Sequence, residues 1–310
     1  MELALENELR AVAFLWLDEQ VAEHGDVLPD ALLKKGFDFR GHRVPLVVQQ
    51  GIHKPKFVEA ALTLRTSFDS PYGDHFEGPD TLVYRYQGKD PNAWDNRAAR
   101  RAFEAQLPLI YLHAVAKNPP KYVVVRPVFI VADNPSELAF RLKAESLTIG
   151  ELTAAPGGAS LIAEGNEARE LKRSYGTRLA RTRLHQAAFR ERVLSAYRQQ
   201  CAMCRLKHPK LLDAAHIVPD ADPLGESVVN NGLSLCRIHH GAFDVYYLSV
   251  EPDTCRIRVQ AALLREEDGP MLRHGLQELE GVKLQLPRRA RDRPDPEGLQ
   301  RHWIGFQAVS

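Results

Sequence analysis

Two short clips constrain this chain more than anything else in it. Cys201 and Cys204 form a C-x-x-C, and Cys236 and His239 form a C-x-x-H roughly thirty residues later. Thiolates and an imidazole at these spacings are the ligand set of a tetrahedral structural Zn2+ site. The alternative, buried thiols without metal, leaves the paired spacing unexplained. Four cysteines in 310 residues are too few for a disulfide framework, and in a reducing compartment this spacing favours metal. Cys255 stands outside the pattern and reads as a core thiol.

Around the clips the chain reads as an ordinary globular protein. Its length suggests two domains. The start, MELALENELR, lacks a basic leader, and no apolar run approaches a membrane span, so a cytoplasmic protein with no membrane partner is expected. The net charge is +1, so a nucleic-acid partner would be met by local patches and not by the whole surface.

Apolar spacing predicts an amphipathic helix over 2–24, stopped at Gly25. From 43 to about 131 the pattern turns to strands. VPLVVQQ, AALTLRTSF, DTLVYRYQG, LPLIYLHAVA and KYVVVRPVFIVA are separated by Gly, Pro, Asn and Asp turns, with one helix at Asn96 to Gln106. This describes a curved sheet or small barrel with a helix packed on it. TAAPGGAS, within 133–165, reads as a loop or boundary. A long helix from Glu167 to Arg198 follows, with nine Lys or Arg against three Glu. It reads either as a solvated linker or as a helix along a phosphate backbone, with Lys172, Arg173, Arg178, Arg181 and Arg183 as the contacts. CRIRVQ and VKLQLP are strand candidates, RRARDR is a basic segment, and a short helix follows PDPEG.

With the four clip residues set aside, His216, Asn231 and His240 remain. A zinc knuckle has no use for a histidine directly after its last ligand, or for one in the apolar run DAAHIVP, which reads as a strand ended by Pro219. GAFD after His240 reads as a helix. A strand histidine, a loop asparagine and a helix histidine in one zinc-stapled unit resemble the ββα-metal core of HNH endonucleases. DAAHIVP resembles the first motif and NNGLSLCRIHHGAFD the second and third, over about 201–250. Phosphodiester hydrolysis needs a base for water, a Lewis acid at the phosphate and support for the leaving 3′-oxygen. The resemblance implies that His216 is the base, that Asn231 holds the loop and orients His216, and that His240 ligates a catalytic Mg2+ or Mn2+. Many HNH enzymes carry an acidic ligand directly before the base histidine, where this chain has Ala215. Asp213, one pleat away on the same strand face, is the candidate second ligand, or else a solvated strand-end carboxylate. Asp244 reads as a buttress of the helix, His208 as a loop residue, and His185, His274 and His302 as surface or packing residues.

The front half is similar to the SRA branch of the PUA-like fold, which flips a modified base into a pocket. QQGIHKP, SPYGDHFEGPDTLVYRYQG and WDNRAARRAFEAQLPLIYLHAV carry the similarity, above all the Asp-Asn that opens a helix before an apolar strand. A flipped base is gripped by stacking and by polar contacts to its Watson–Crick edge. The resemblance implies that Tyr72 stacks and Asp74 accepts from an exocyclic amine. Tyr84 or Tyr86 would form the other wall, with only one of them facing in, and Trp94 would be a cap or a loop anchor.

The expected molecule is α+β. A sensing domain occupies 1–145, a linker with the basic helix 146–198, and an HNH domain 199–310. Together they read as a modification-dependent restriction endonuclease acting on double-stranded DNA near a 5-substituted cytosine, against phage or other foreign DNA. One base and one ion per core cut one strand, so double-strand cleavage implies a homodimer or two binding events. Two other readings stay open: a non-catalytic sensor of modified DNA, for which Ala215 speaks, and an HNH nuclease whose front domain recognises something else.

Overall fold

The computed structural model describes residues 2–69, 75–145 and 166–309. The chain divides into two compact units, Met1–Ala187 and Ala188–Ser310. That boundary falls inside a helix, within the segment expected to be a separate linker.

Unit one is built on a mixed eight-stranded sheet. The strands are β1 (Val27–Pro29), β4 (Ile52–His53), β5 (Thr63–Thr66), β6 (His75–Glu77), β7 (Thr81–Arg85), β8 (Leu109–Lys117), β9 (Pro120–Asn134) and β10 (Ala139–Ala144). A separate hairpin pairs β2 (Phe37–Phe39) with β3 (His42–Val44). The sheet runs β4-β5-β8-β9-β10-β7-β6, with β1 added alongside β9. Only the β5–β8 pair is parallel. The described sheet has two edges and does not close into a barrel. Its longest strand, β9, carries the β-branched run VVVRPVFIV, the residue types that pack best on a pleated surface.

Helix α1 (Glu2–His24) packs Leu9, Ala13, Phe14 and Leu17 into the core of this unit. It is pinned by a buried ion pair, Arg10 with Glu6. The remaining donors of Arg10 reach Pro108 O at 2.9 Å and Ala61 O at 2.7 Å, and Glu6 accepts from the Glu59 and Ala60 amides. Every charge-bearing atom is answered, as a buried pair requires. Helices α2 (Asp30–Lys35) and α3 (Trp94–Glu104) follow. Asn96, fully buried in α3, accepts from Gln87 N at 2.9 Å and donates to Gln87 O and Asp90 O, so it ties the helix start to the end of β7.

Helix α4 (Asn166–Ala196) is not a free linker. Arg173, Thr177, Ala180 and Leu184 recur on one face and are buried in unit one. Thr177 Oγ1 receives the Ala144 amide at 2.8 Å. Past Ala187 the same helix buries Phe189, Val193 and Leu194 in the core of unit two.

Unit two holds the hairpin β11 (Leu212–His216) and β12 (Gly232–Cys236), then α5 (Arg237–Asp244). A second hairpin joins β13 (Leu248–Val250) to β14 (Ile257–Val259), and the short helices α6 (Ala261–Leu264) and α7 (Pro270–Gly275) follow. Helix α8 (Pro296–Ala308) closes the unit, with Asp295 accepting from Gly298 N as its N-cap.

Two expected strands do not form. The stretch 44–50 leaves β3 after Val44, and its Leu46 amide bonds Leu33 O instead of a strand partner. VKLQLP makes one bridge, Arg256 with Lys283, because its next amides go to Cys255 O and Ala202 O on different segments. An alternating pattern forms a ladder only when one neighbour supplies the whole row of partners.

Candidate active site and metal centre

The candidate metal ligands come from two turns. Cys201 and Cys204 sit in a knuckle closed by Cys201 N to Leu206 O and Arg205 N to Cys201 O. Cys236 ends β12 and precedes α5, whose third residue is His239. The four ligand atoms lie within 4.8 Å of one another. Ligands about 2.3 Å from a tetrahedral zinc are separated by about 3.8 Å, so the donor set and its spacing fit that ion. His239 turns Nδ1 toward Cys201 Sγ (3.4 Å) and Cys236 Sγ (3.3 Å), while Nε2 donates to Gly275 O at 2.7 Å. A ligating histidine fixed by its other nitrogen is the expected outer support of a metal site. Hydrogen bonds from the Cys201 and Cys204 thiols hold the Cys236 thiol far below the ordinary cysteine range. Among the described residues no other group of three or more His, Cys, Asp or Glu is clustered this way.

The hairpin that follows carries His216 at the end of β11, opposite Gly232. A Cβ at Gly232 would stand 2.5 Å from Val193 and 2.9 Å from Phe189, so glycine lets α4 lie against the hairpin. The Phe189 ring then stacks on His216, centroids 4.1 Å apart and planes 12° apart. Burial lowers the proton affinity of His216, partly offset by the Asp220 charge, so the ring is neutral and able to accept a proton near pH 7. Its Nε2 lies 3.4 Å from Ser227 Oγ.

Asn231 is buried and fully engaged. Its Oδ1 accepts from Val218 N at 2.9 Å, and its Nδ2 donates to Val218 O (3.0 Å) and Glu226 O (2.9 Å). It clasps both arms of the loop that leaves His216. His240, half-buried on α5, has Asp213 Oδ2 3.8 Å from Nδ1 and Asp244 Oδ2 3.4 Å from Nε2. Asp213 therefore reaches the His240 side chain despite Ala215. Arg190 lies 3.4 Å from Asp213 and donates to Leu212 O and Pro209 O. Neither Arg190 nor Phe189 belongs to a recognisable sequence motif. Their signal was present as an Arg and a Phe on the α4 face that also carries Val193.

Of the other expected residues, His302 is buried, stacked on Phe243 at 3.7 Å, bonded to Ser249 Oγ and Phe243 O. His185 is exposed, and His274 pairs with Glu278. Cys255 is partly buried against the core.

In unit one, Tyr72 and Asp74 lie outside the described residues, as does TAAPGGAS. The expectation that only one of Tyr84 and Tyr86 faces inward fails. Residues two apart share a strand face, and both are buried at 0% and 1% exposure. Tyr84 OH donates to Arg65 O. Tyr86 bonds Asp133 and receives Arg100, and its ring packs 4.5 Å from Phe140. Trp94 is half exposed at the start of α3.

The five expected phosphate contacts separate. Arg173 is buried over the Phe129 ring at 4.7 Å with Glu145 at 3.5 Å, which corrects its assignment: it is committed to the interior of its own unit. Arg181 lies over Phe76 and donates to Gly78 O. Lys172 is half-buried, while Arg178 and Arg183 are exposed.

Comparison with known proteins finds one family match and several similar solved structures. Residues 201–251 match the family described as HNH endonuclease. The chain thus carries a metal-dependent endonuclease domain at the hairpin and helix just described. No curated protein matches the chain. A modification-dependent TagI restriction endonuclease is similar at 17% identity, over 93% of this chain and 90% of that one, with a TM-score of 0.30. The SUVH5 SRA domain, solved with fully methylated CG DNA, is similar at 19% identity, over 39% of this chain and 96% of that one, with a TM-score of 0.25. Its hemimethylated complex gives 20%, the same coverages and 0.23.

Proposed function

We propose that this protein is a modification-dependent DNA endonuclease of a restriction system. Unit one takes a 5-substituted cytosine out of the duplex, and unit two hydrolyses a nearby phosphodiester. The observation that carries the nuclease half is the convergence of His216, Asn231 and His240 on one hairpin and helix beside the Cys3His cluster. In this reading His216 removes a proton from water, the resulting hydroxide attacks phosphorus, and the bond to the 3′-oxygen breaks. Asn231 keeps His216 at the mouth of the loop by holding both of its arms. His240 and Asp213 would hold a divalent ion, Mg2+ or Mn2+. When bound, that ion would stabilise charge on the phosphate and the leaving oxygen. The Cys3His cluster would hold a structural Zn2+ that fixes β12 and α5 together.

The sensing half is supported by the Asp95–Asn96 helix start and the apolar strand β8 after it, the pattern on which the SRA resemblance rests. Tyr72 and Asp74 would grip the flipped base.

The test uses matched plasmids bearing cytosine, 5-methylcytosine or 5-hydroxymethylcytosine, incubated with Mg2+ or Mn2+. Cutting of modified DNA alone, abolished by His216→Ala and made indiscriminate or lost by Asp74→Asn, is expected. Equal cutting of all three plasmids would keep the nuclease and remove the sensing claim. Binding of modified DNA with no cutting would leave a sensor.

A further inference from the structure

An imidazole works as a base only if its free lone pair faces the water. The surroundings of His216 decide which nitrogen that is. Nε2 stands 3.4 Å from Ser227 Oγ, and the same Oγ stands 3.3 Å from Asp220 Oδ1. An ionised carboxylate can only accept. The Ser227 hydroxyl donates to Asp220, and with its proton committed there its oxygen lone pair is left to accept from His216. The chain has one polarity: Nε2–H to Ser227 Oγ, Ser227 O–H to Asp220. Both bonds are at the long end of the range, as catalytic hydrogen bonds in free enzymes often are before substrate tightens them.

We propose that Ser227 and Asp220 are positioning residues that hold His216 in the Nε2-protonated tautomer, so that Nδ1 is the atom that takes the proton from water. This rests on the reading of His216 as the base.

The loop is arranged around that contact. Ser227 O accepts from Arg192 at 3.2 Å, and its neighbour Glu226 O accepts from Asn231 at 2.9 Å, so the backbone is held on both sides of the hydroxyl. The turn that carries Asp220 closes with Asp222 N to Pro219 O, and a Cβ at Gly225 would stand 1.9 Å from that same carbonyl. Phe189 fixes the plane of the ring. The other nearby carboxylates are engaged elsewhere: Asp213 and Asp244 face His240. Asp220 is exposed, so solvent screens its charge. Its main effect is to set the direction of the serine hydroxyl.

The experiment compares full-length Ser227→Ala, Ser227→Thr, Asp220→Asn and His216→Ala. It measures single-turnover cleavage, DNA affinity and the 15N shifts of the His216 ring. Ser227→Ala should lower the cleavage rate by about 10- to 100-fold, a part of the ~100- to 10,000-fold that a positioned base contributes. Its DNA affinity should stay within about twofold, and its ring should lose the single Nε2–H signature. Ser227→Thr, which keeps the hydroxyl, should restore the rate, and Asp220→Asn should fall between them. Ser227→Ala cleaving at the wild-type rate, or a wild-type ring protonated at Nδ1, would overturn the proposal. So would an equal loss in Ser227→Ala and Ser227→Thr that follows a fall in thermal stability. Cleavage surviving in His216→Ala would instead remove the base assignment beneath it.

Discussion

Asn231 does more structural work than its size suggests, because its amide closes the loop with three hydrogen bonds inside the protein. Asn231→Ala leaves buried backbone groups of Val218 unanswered, at about 1–3 kcal/mol for each lost partner. Thermal melting should show unit two destabilised by several degrees, and cleavage should vanish with the loop geometry. His302 makes a prediction in pH. Burial lowers its folded value to about 4 from an ordinary 6.5, opposed by its bond to Phe243 O. The unfolded chain binds the proton first, so the stability this ring contributes is present above pH 6.5 and is lost as pH falls toward 4. Unfolding free energies from urea titrations at pH 7 and pH 4.5 should differ by more in the wild type than in His302→Phe, by something on the order of 3 kcal/mol at most. At this scale the ligands and His216, Asn231 and His240 were legible because they lie within one short window of sequence. Phe189, Ser227 and Gly275 touch that window from outside it or across a loop, and neither periodicity nor spacing carries such a contact.

At the scale of elements, α4 departs furthest from its sequence. Its basic composition points to a solvated or DNA-lying helix, yet Arg173, Thr177, Ala180 and Leu184 form a buried stripe. The arginines should accordingly behave in two ways. Replacing Arg178 and Arg183 together with glutamine should leave the melting temperature in place and reduce the slope of log affinity against log salt by roughly 2, near 0.9 for each phosphate contact. Replacing Arg173 with glutamine should do the reverse, because it breaks the buried ion pair with Glu145 and leaves the salt slope unchanged. The lost strands at 44–50 and 282–287 have the same lesson. Alternation records a half-buried extended segment, and the presence of a partner along its whole length decides whether a sheet forms.

At the scale of the molecule, two compact units imply two melting events. Calorimetry of the full chain should show two transitions, and a strong zinc chelator should lower only the one belonging to residues 188–310. Cys236→Ser should reproduce the chelator's effect. Binding to the folded state alone is folding free energy for the hairpin and helix that supply the ligands. A single transition unmoved by chelation would remove the structural role of the cluster. No helix among the described residues is long and apolar enough to cross a membrane.

The sequence by itself determined the Cys3His cluster, the hairpin and helix that carry His216 and His240, and the strand-rich character of the front half. Each of these is written in short-range spacing: ligands three apart, side chains alternating by two, a helix beginning directly after a cysteine. The tertiary structure alone decided that α4 belongs to two cores, that Tyr84 and Tyr86 are both interior, that Arg173 pairs with Glu145, and that Asp213 reaches His240 although Ala215 occupies the position before His216. These depend on which faces meet after folding. A side chain's environment is set by partners distant in sequence, and local pattern carries no record of them.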